Sequence, residues 1–135
     1  MALYQVKKNK KWIIKALDRC SGRTVAWVTG HRDVATFKRL YEKVKHLENC
    51  HFYTDDWSAF KAVLPKERHT IGKSHTVSIE RDNSNTRHHL GRMARRTKIV
   101  SKKEKMVYDS IKLWVALTTH DVFSHYQETF LSIFR

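Results

Sequence analysis

The chain has 135 residues, 41% hydrophobic and 30% charged, enough for one domain with a real core. Lys and Arg number 27 against 13 Asp and Glu, and the resulting net charge of +14 favours a polyanionic partner. Nucleic acid is the first reading and an anionic membrane surface the second; charge by itself does not separate DNA from RNA. No apolar run approaches the ~18 residues of a membrane span, the opening MALYQVKKNK lacks the apolar core of a signal peptide, and Cys20 and Cys50 stand alone, with no C-x-x-C to support a zinc ribbon or a redox pair. A reducing, cytoplasmic setting fits such isolated thiols.

In chain order, Leu3–Val6 reads as a short strand, Lys7–Lys11 as a polar turn and Trp12–Leu17 as a second strand. Asp18-Arg19-Cys20-Ser21-Gly22 is turn chemistry, and Thr24–Val28 is a third strand rich in β-formers, ended by Gly30. Asp33 can cap a helix whose apolar positions, Val34, Phe37, Leu40, Tyr41, Val44 and Leu47, keep one face apolar. The run Cys50 to Thr54 reads as a strand that crosses over this helix and so can lie parallel to the first. Trp57–Leu64 is a short helix stopped near Pro65, and Arg68–Ile71 a fifth strand.

Residues 77–96 make the next helix, with a thin stripe of Ile79, Asn83, Thr86, Leu90 and Met93. Ser101 and Glu104 form a capping box ahead of a helical region carrying Val107, Ile111, Trp114 and Val115. A break near Thr118–Asp121 precedes a last short helix with Val122, Tyr126, Phe130 and Phe134. The order βββαβαβα is that of a ribonuclease-H-like fold: α/β, a five-stranded mixed sheet, with additional C-terminal helices over about 101–135.

The stretch from residue 51 to residue 90 carries the chemistry. Asp55 closes a strand and Glu80 lies in the first turn of a helix, so the two can converge at one edge of a sheet. Such hard oxygen ligands suit Mg²⁺. Taken singly, each has a plainer reading. Asp55 and Asp56 can both be helix caps, and an acid in the first turn complements the helix dipole. Asn83 and Arg87 fall three and seven residues after Glu80 and share its face. Arg87, Arg92, Arg95, Arg96, Lys98, Lys102, Lys103 and Lys105 form the basic run best suited to phosphates, unless it is a merely solvated face. The nine His are scattered; His88-His89 is the one adjacent pair and no H-E-x-x-H occurs.

The TDDW around Asp55, then 24 residues between Asp55 and Glu80, then IERDNSNTRHHLGRMARR, resembles the transposases of the insertion-sequence-one family, and the resemblance runs from about Leu3 to Trp114. These are Asp-Asp-Glu recombinases with a ribonuclease-H-like core. The resemblance implies that Asp55 and Glu80 are the second and third catalytic carboxylates and ligands of two Mg²⁺ (or Mn²⁺) ions. Asp56 is then left as an N-cap, and Arg87 matches a basic residue placed to contact DNA. It implies DNA cleavage and strand transfer, with transposon ends and target DNA as partners, no small-molecule substrate, no membrane, and association with the bacterial nucleoid when DNA-bound. A homo-oligomer is also expected from the family, although no residue demonstrates an interface.

One element of the family pattern is missing. The family opens this domain with D-E-x-W, and aligning Leu3-Tyr4 with its third and fourth positions puts Met1 at the Asp and Ala2 at the Glu; no acidic residue precedes Asp18. Asp18 ends an antiparallel second strand and is expected on the edge away from Asp55. The chain therefore looks like a catalytic core truncated at its N-terminus, without the upstream zinc-binding and helix-turn-helix segments, and with impaired catalysis. The alternatives are a non-catalytic DNA-binding remnant that interferes with intact transposase and, third, an RNA-binding basic domain.

Overall fold

The computed structural model describes residues 2–4, 11–93 and 103–134. The chain divides into two compact units, Met1–Val100 and Ser101–Arg135.

In the first unit three sequential strands, β1 (Ala2–Tyr4), β2 (Lys11–Leu17) and β3 (Thr24–Gly30), form an antiparallel sheet in the order β1-β2-β3. The β2–β3 turn is built by Asp18, whose carboxylate accepts from the backbone N–H of Cys20 (3.2 Å) and Ser21 (3.0 Å), while Gly22 takes the positive φ of +70° that a side chain disfavours. A hydrogen bond donated by the Ser21 hydroxyl, and then these backbone bonds, hold the Asp18 carboxyl below its ordinary value.

Helix α1 (Val34–Val44) covers one face of this sheet. Asp33 caps it, accepting from Thr36 N–H at 2.7 Å, and that bond likewise lowers the Asp33 carboxyl. Phe37, Leu40 and Val44 recur at helical spacing and pack with Ala26, Val28 and Leu64 as the core of the unit, with Ile14 and Ala16 against them. Gly30 sits where sheet and helix come closest: a Cβ there would lie 2.6 Å from the Thr36 hydroxyl and 2.6 Å from the Arg39 guanidinium.

A second, two-stranded parallel sheet pairs β4 (Phe52–Thr54) with β5 (His69–Ile71), and between them runs α2 (Ser58–Val63). Phe37 of α1 meets Phe60 and Trp57 edge-on, with centroids at 4.7 and 6.3 Å, which locks α2 onto α1. After β5, a turn of 3-10 helix leads into α3 (Val77–His89).

The architecture is α/β with the expected element order, but the strands make two small sheets rather than one five-stranded layer. β1, β4 and β5 are three residues each, too short to exchange more than a few ladder hydrogen bonds, and among the described residues β1 pairs with β2 alone. Val6, expected in the first strand, lies outside the described residues. Helix α3 also stops earlier than its stripe suggested. It ends at His89, Leu90 is extended (φ −98°, ψ 98°), and Gly91–Met93 is a separate 3-10 turn; residues 94–96 lie outside the description.

The second unit is helical: α4 (Glu104–Thr118) and α5 (His120–Ser132) break at Thr119, inside the expected interval. The expected capping box is not the start of α4. The helix begins at Glu104 with Lys103 as N-cap and no side-chain cap bond, so Glu104 is at the first helical position rather than the third; Ser101 lies outside the described residues.

Candidate functional site

Asp55 follows β4 directly. The ladder between Thr54 and Ile71 is carried one step further by Gly72 N–H donating to the Thr54 carbonyl at 3.0 Å. The chain then makes its 3-10 turn at Lys73–His75 and enters α3, where Glu80 occupies the first turn. Because the two strands are parallel, the segments that leave them emerge on one side. Asp55 and the turn that leads to Glu80 thus stand at the carboxyl end of the same strand pair, the customary position of sites in open α/β layers.

Two crossed side-chain bonds brace the pair beneath. His51 Nε2 meets Thr70 Oγ1 at 2.8 Å, and Thr54 Oγ1 meets His69 Nε2 at 2.6 Å. Burial, then the neighbouring charges of His51 and Lys61, push His69 below the ordinary imidazole value, so it stays neutral there.

Both carboxylates are exposed. Asp55 accepts from Trp57 N–H at 3.2 Å, and Glu80 receives a long contact, 3.5 Å, from the Thr76 hydroxyl. Asp56 is not the N-cap of α2, a place taken by Trp57 without a side-chain bond; Asp56 pairs instead with Lys61 at 2.5 Å. Above the Asp55 edge, the Arg32 guanidinium lies between two indoles, 5.1 Å from the Trp12 ring and 5.3 Å from the Trp57 ring. It ties the start of β2 and the end of β3 to the loop after Asp55. Asp18 is at the other end of β2, its carboxylate occupied by its own turn.

The residue that orients α3 was not foreseen. Lys15, in the middle of β2, has a side chain only 1% exposed and forms an ion pair with Asp82, whose side chain is 21% exposed. Lys15 also donates to Thr86 Oγ1 at 3.0 Å, and Thr86 donates to the Asp82 carbonyl at 2.8 Å. On β2, Ile14 and Ala16 point to α1, so Lys15 points to the opposite face, where α3 lies. At roughly 100° per residue, turning Asp82 and Thr86 to the sheet swings Glu80, Asn83 and Arg87 about 110° round the helix. That rotation leaves Glu80 exposed and Asn83 and Arg87 half-buried along one edge. The signal in the sequence was a lysine in register with buried Ile13 inside the otherwise apolar strand WIIKAL.

Of the basic run, Arg87 and Arg92 belong to the first unit and are half-buried, while Lys103 and Lys105 are exposed in the second. Arg95, Arg96, Lys98 and Lys102 lie outside the described residues. His88 and His89 stack edge-on at 4.8 Å, and among the described residues no three His, Cys, Asp or Glu side chains group closely enough to hold a metal ion. Among those residues, too, no helix is long and apolar enough to cross a membrane.

The family model for the IS1 transposase matches residues 2–121. The "Insertion element IS1 protein InsB" of Shigella flexneri is 35% identical over 100 residues, which cover 74% of this chain and 76% of that protein. The "Insertion element IS1 2 protein InsB" of Escherichia coli (strain K12) is 35% identical over 96 residues, 71% of this chain and 58% of the relative. A Shigella sonnei InsB is 33% identical over 100 residues. The chain thus spans less than two thirds of the length of the Escherichia coli relative, and no solved structure matches it. A match over residues 2–121, together with relatives at 33–35% identity, settles the family: this chain belongs to the IS1 transposases.

Proposed function

We propose that this chain is the ribonuclease-H-like nucleotidyl-transfer core of an IS1-type transposase, acting on the ends of an insertion sequence, with Asp55 and Glu80 as its metal-ligating carboxylates. The reading is supported by two solvent-facing carboxylates in a chain of this family, Asp55 directly after β4 and Glu80 in the first turn of the helix that follows β5. Their hard oxygens suit Mg²⁺ or Mn²⁺. Bound there, such ions would supply Lewis-acid polarisation of the phosphate and of the attacking and leaving oxygens.

The chain's own part is positioning. Lys15 holds α3 in the rotation that presents Glu80, and the His69–Thr54 bond fixes the end of β4 ahead of Asp55. Asn83, Arg87 and Arg92, continued by Arg95, Arg96, Lys98, Lys102 and Lys103, would track the DNA backbone. Each phosphate neutralised should steepen the log–log salt dependence of binding by about 0.9.

The resemblance would place the family's first Asp-Glu at Met1 and Ala2, neither of which is acidic. Two carboxylates neutralise two divalent ions poorly, so the chain by itself should bind Mg²⁺ weakly and transfer strands little or not at all. That deficit favours a second reading, a DNA-binding form that interferes with intact transposase at shared ends. Cleavage of a transposon-end duplex in Mg²⁺ or Mn²⁺ separates the two. We expect negligible cutting by the chain alone, and gain of cutting when Met1→Asp is placed behind an added initiator methionine. Robust cutting by the chain alone, abolished by Asp55→Asn, would overturn the impairment while keeping the enzyme. No cutting by either form, with tight end binding, would leave the interfering reading.

A further inference from the structure

One cation at the Asp55 edge is held in place while its hydrogen-bond donors stay unused. Arg32 is exposed, two residues past the end of β3, and its guanidinium lies 5.1 Å from the Trp12 ring and 5.3 Å from the Trp57 ring. Separate features of the sequence bring the three together. Trp12 is the ladder partner of Gly30, so its ring stands at the corner where the chain leaves β3. Trp57 is fixed from behind by the rings of Phe37 and Phe60. Its backbone N–H also donates to the Asp55 carboxylate at 3.2 Å, so the ring that holds Arg32 and the candidate metal ligand belong to one short segment.

Aromatic faces engage the charge of a guanidinium and leave its planar fork of N–H donors for an acceptor. Within the first unit, none of the nearby described carboxylates takes that place. Asp33, the next residue, accepts from Thr36 N–H at 2.7 Å and caps α1. Asp55 accepts from Trp57, and Asp56 pairs with Lys61 at 2.5 Å. Lys11, beside Trp12 in β2, adds positive charge to the same corner, its Nζ 3.3 Å from Nε2 of His31, which adjoins Arg32. An apolar side chain between two indoles would tie the loop to the sheet as well. A guanidinium adds a fork shaped for paired anionic oxygens, and the rings restrict its rotamers before any ligand arrives. In a chain of net charge +14, the anion that fits is a phosphate of a polyanion.

We propose that Arg32 grips a phosphodiester of the DNA strand lying across the Asp55 edge, with Trp12 and Trp57 holding its guanidinium in the gripping pose. Arg32 is a positioning residue: it fixes the backbone beside the bond to be cut and takes no part in the metal or proton chemistry. It stands apart from the basic run of Arg87 to Lys105, on a different element. The proposal rests on the reading of the chain as a DNA-acting core and names a further contact of that site.

The test is the salt dependence of binding of the full chain to a fluorescein-labelled duplex carrying an insertion-sequence end, followed by anisotropy from about 0.05 to about 0.3 M NaCl. Arg32→Gln should weaken binding roughly tenfold at the low end of that range and make the log–log slope shallower by about 0.9, the share of one phosphate. Arg32→Lys should restore the slope, because the charge returns, and recover only part of the affinity, because the fork does not. Lys45→Gln removes an exposed cation at the other end of α1 and should leave the slope at its wild-type value. Urea unfolding of each variant reads the tie between loop and sheet separately. An Arg32→Gln slope equal to that of the wild type overturns the proposal, and a lowered urea midpoint alongside it would leave Arg32 as a structural tie. An equal change of slope in Lys45→Gln, or no recovery of slope in Arg32→Lys, overturns it too. In each of those cases salt-dependent binding by the wild type leaves the DNA-acting reading standing; a wild type that does not bind the duplex overturns both.

Discussion

Removing either partner of the Lys15–Asp82 pair should destabilise the first unit, but unequally, and the inequality follows from exposure. Asp82→Ala leaves an ammonium on a side chain that is 1% exposed, with the Thr86 hydroxyl at 3.0 Å as its remaining partner. Breaking a buried pair in this way costs about 3–5 kcal/mol, and retention of the Thr86 bond offsets roughly 1 kcal/mol of it. Lys15→Met removes the charge that cannot reach water and fills the same stem volume. It leaves a carboxylate that is 21% exposed and can rehydrate, so the loss should be nearer ~1–2 kcal/mol. The double substitution should be less damaging than Asp82→Ala alone, giving a coupling energy above ~1.5 kcal/mol. Urea unfolding at neutral pH, followed by tryptophan fluorescence and circular dichroism, measures all three, because midpoint and slope together report stability. Equal losses for the two single variants, a reversed order, or simple additivity would refute the idea that a buried ion pair docks α3 on the sheet.

Two further predictions concern the frame around the site. His69 has a folded pKa below its ordinary value, so the unfolded chain binds more protons as pH falls through the ordinary imidazole range. Its contribution to stability is complete above about 6.5 and is lost as pH falls through the depressed folded value. The stability of the wild type should therefore drop more between pH 7.5 and 5.5 than that of His69→Asn, and parallel curves would remove His69 as the cause. Gly30→Ala should lower the unfolding free energy measured in urea by about 1–3 kcal/mol, because the added methyl meets buried Thr36 as well as Arg39; an unchanged midpoint would mean that α1 can retreat from the sheet freely.

Where the sequence carried strong local chemistry, the fold was readable from it. Asp33 capping α1, the Asp18–Gly22 turn, the β2–β3 hairpin and the break at Thr119 each follow from one residue type in a demanding position. The placement of Asp55 after a strand and of Glu80 in a first helical turn came from the same kind of signal. The single five-stranded layer expected from the element order is replaced by two sheets among the described residues, because joining β1 to β4 would need non-local pairing that three-residue strands support weakly. The docking of α3 was missed for another reason. Its thin apolar stripe suggested loose packing, whereas a lysine, an aspartate and a threonine hold it, and hydrophobic periodicity does not register such contacts. The capping box at Ser101 matched a common motif, but a helix beginning at Glu104 has no use for that register.

The proposed site requires Asp55 and Glu80 to hold a divalent ion between them. Iron(II) put in place of Mg²⁺, with ascorbate and peroxide, generates hydroxyl radicals that cut the polypeptide beside the ion. Mapping the fragments by mass spectrometry should give two sets of cuts, one around residue 55 and one around residue 80, and Asp55→Asn should abolish both together. Cuts around residue 80 that persist unchanged in Asp55→Asn, or cutting confined to other segments, would contradict a shared site.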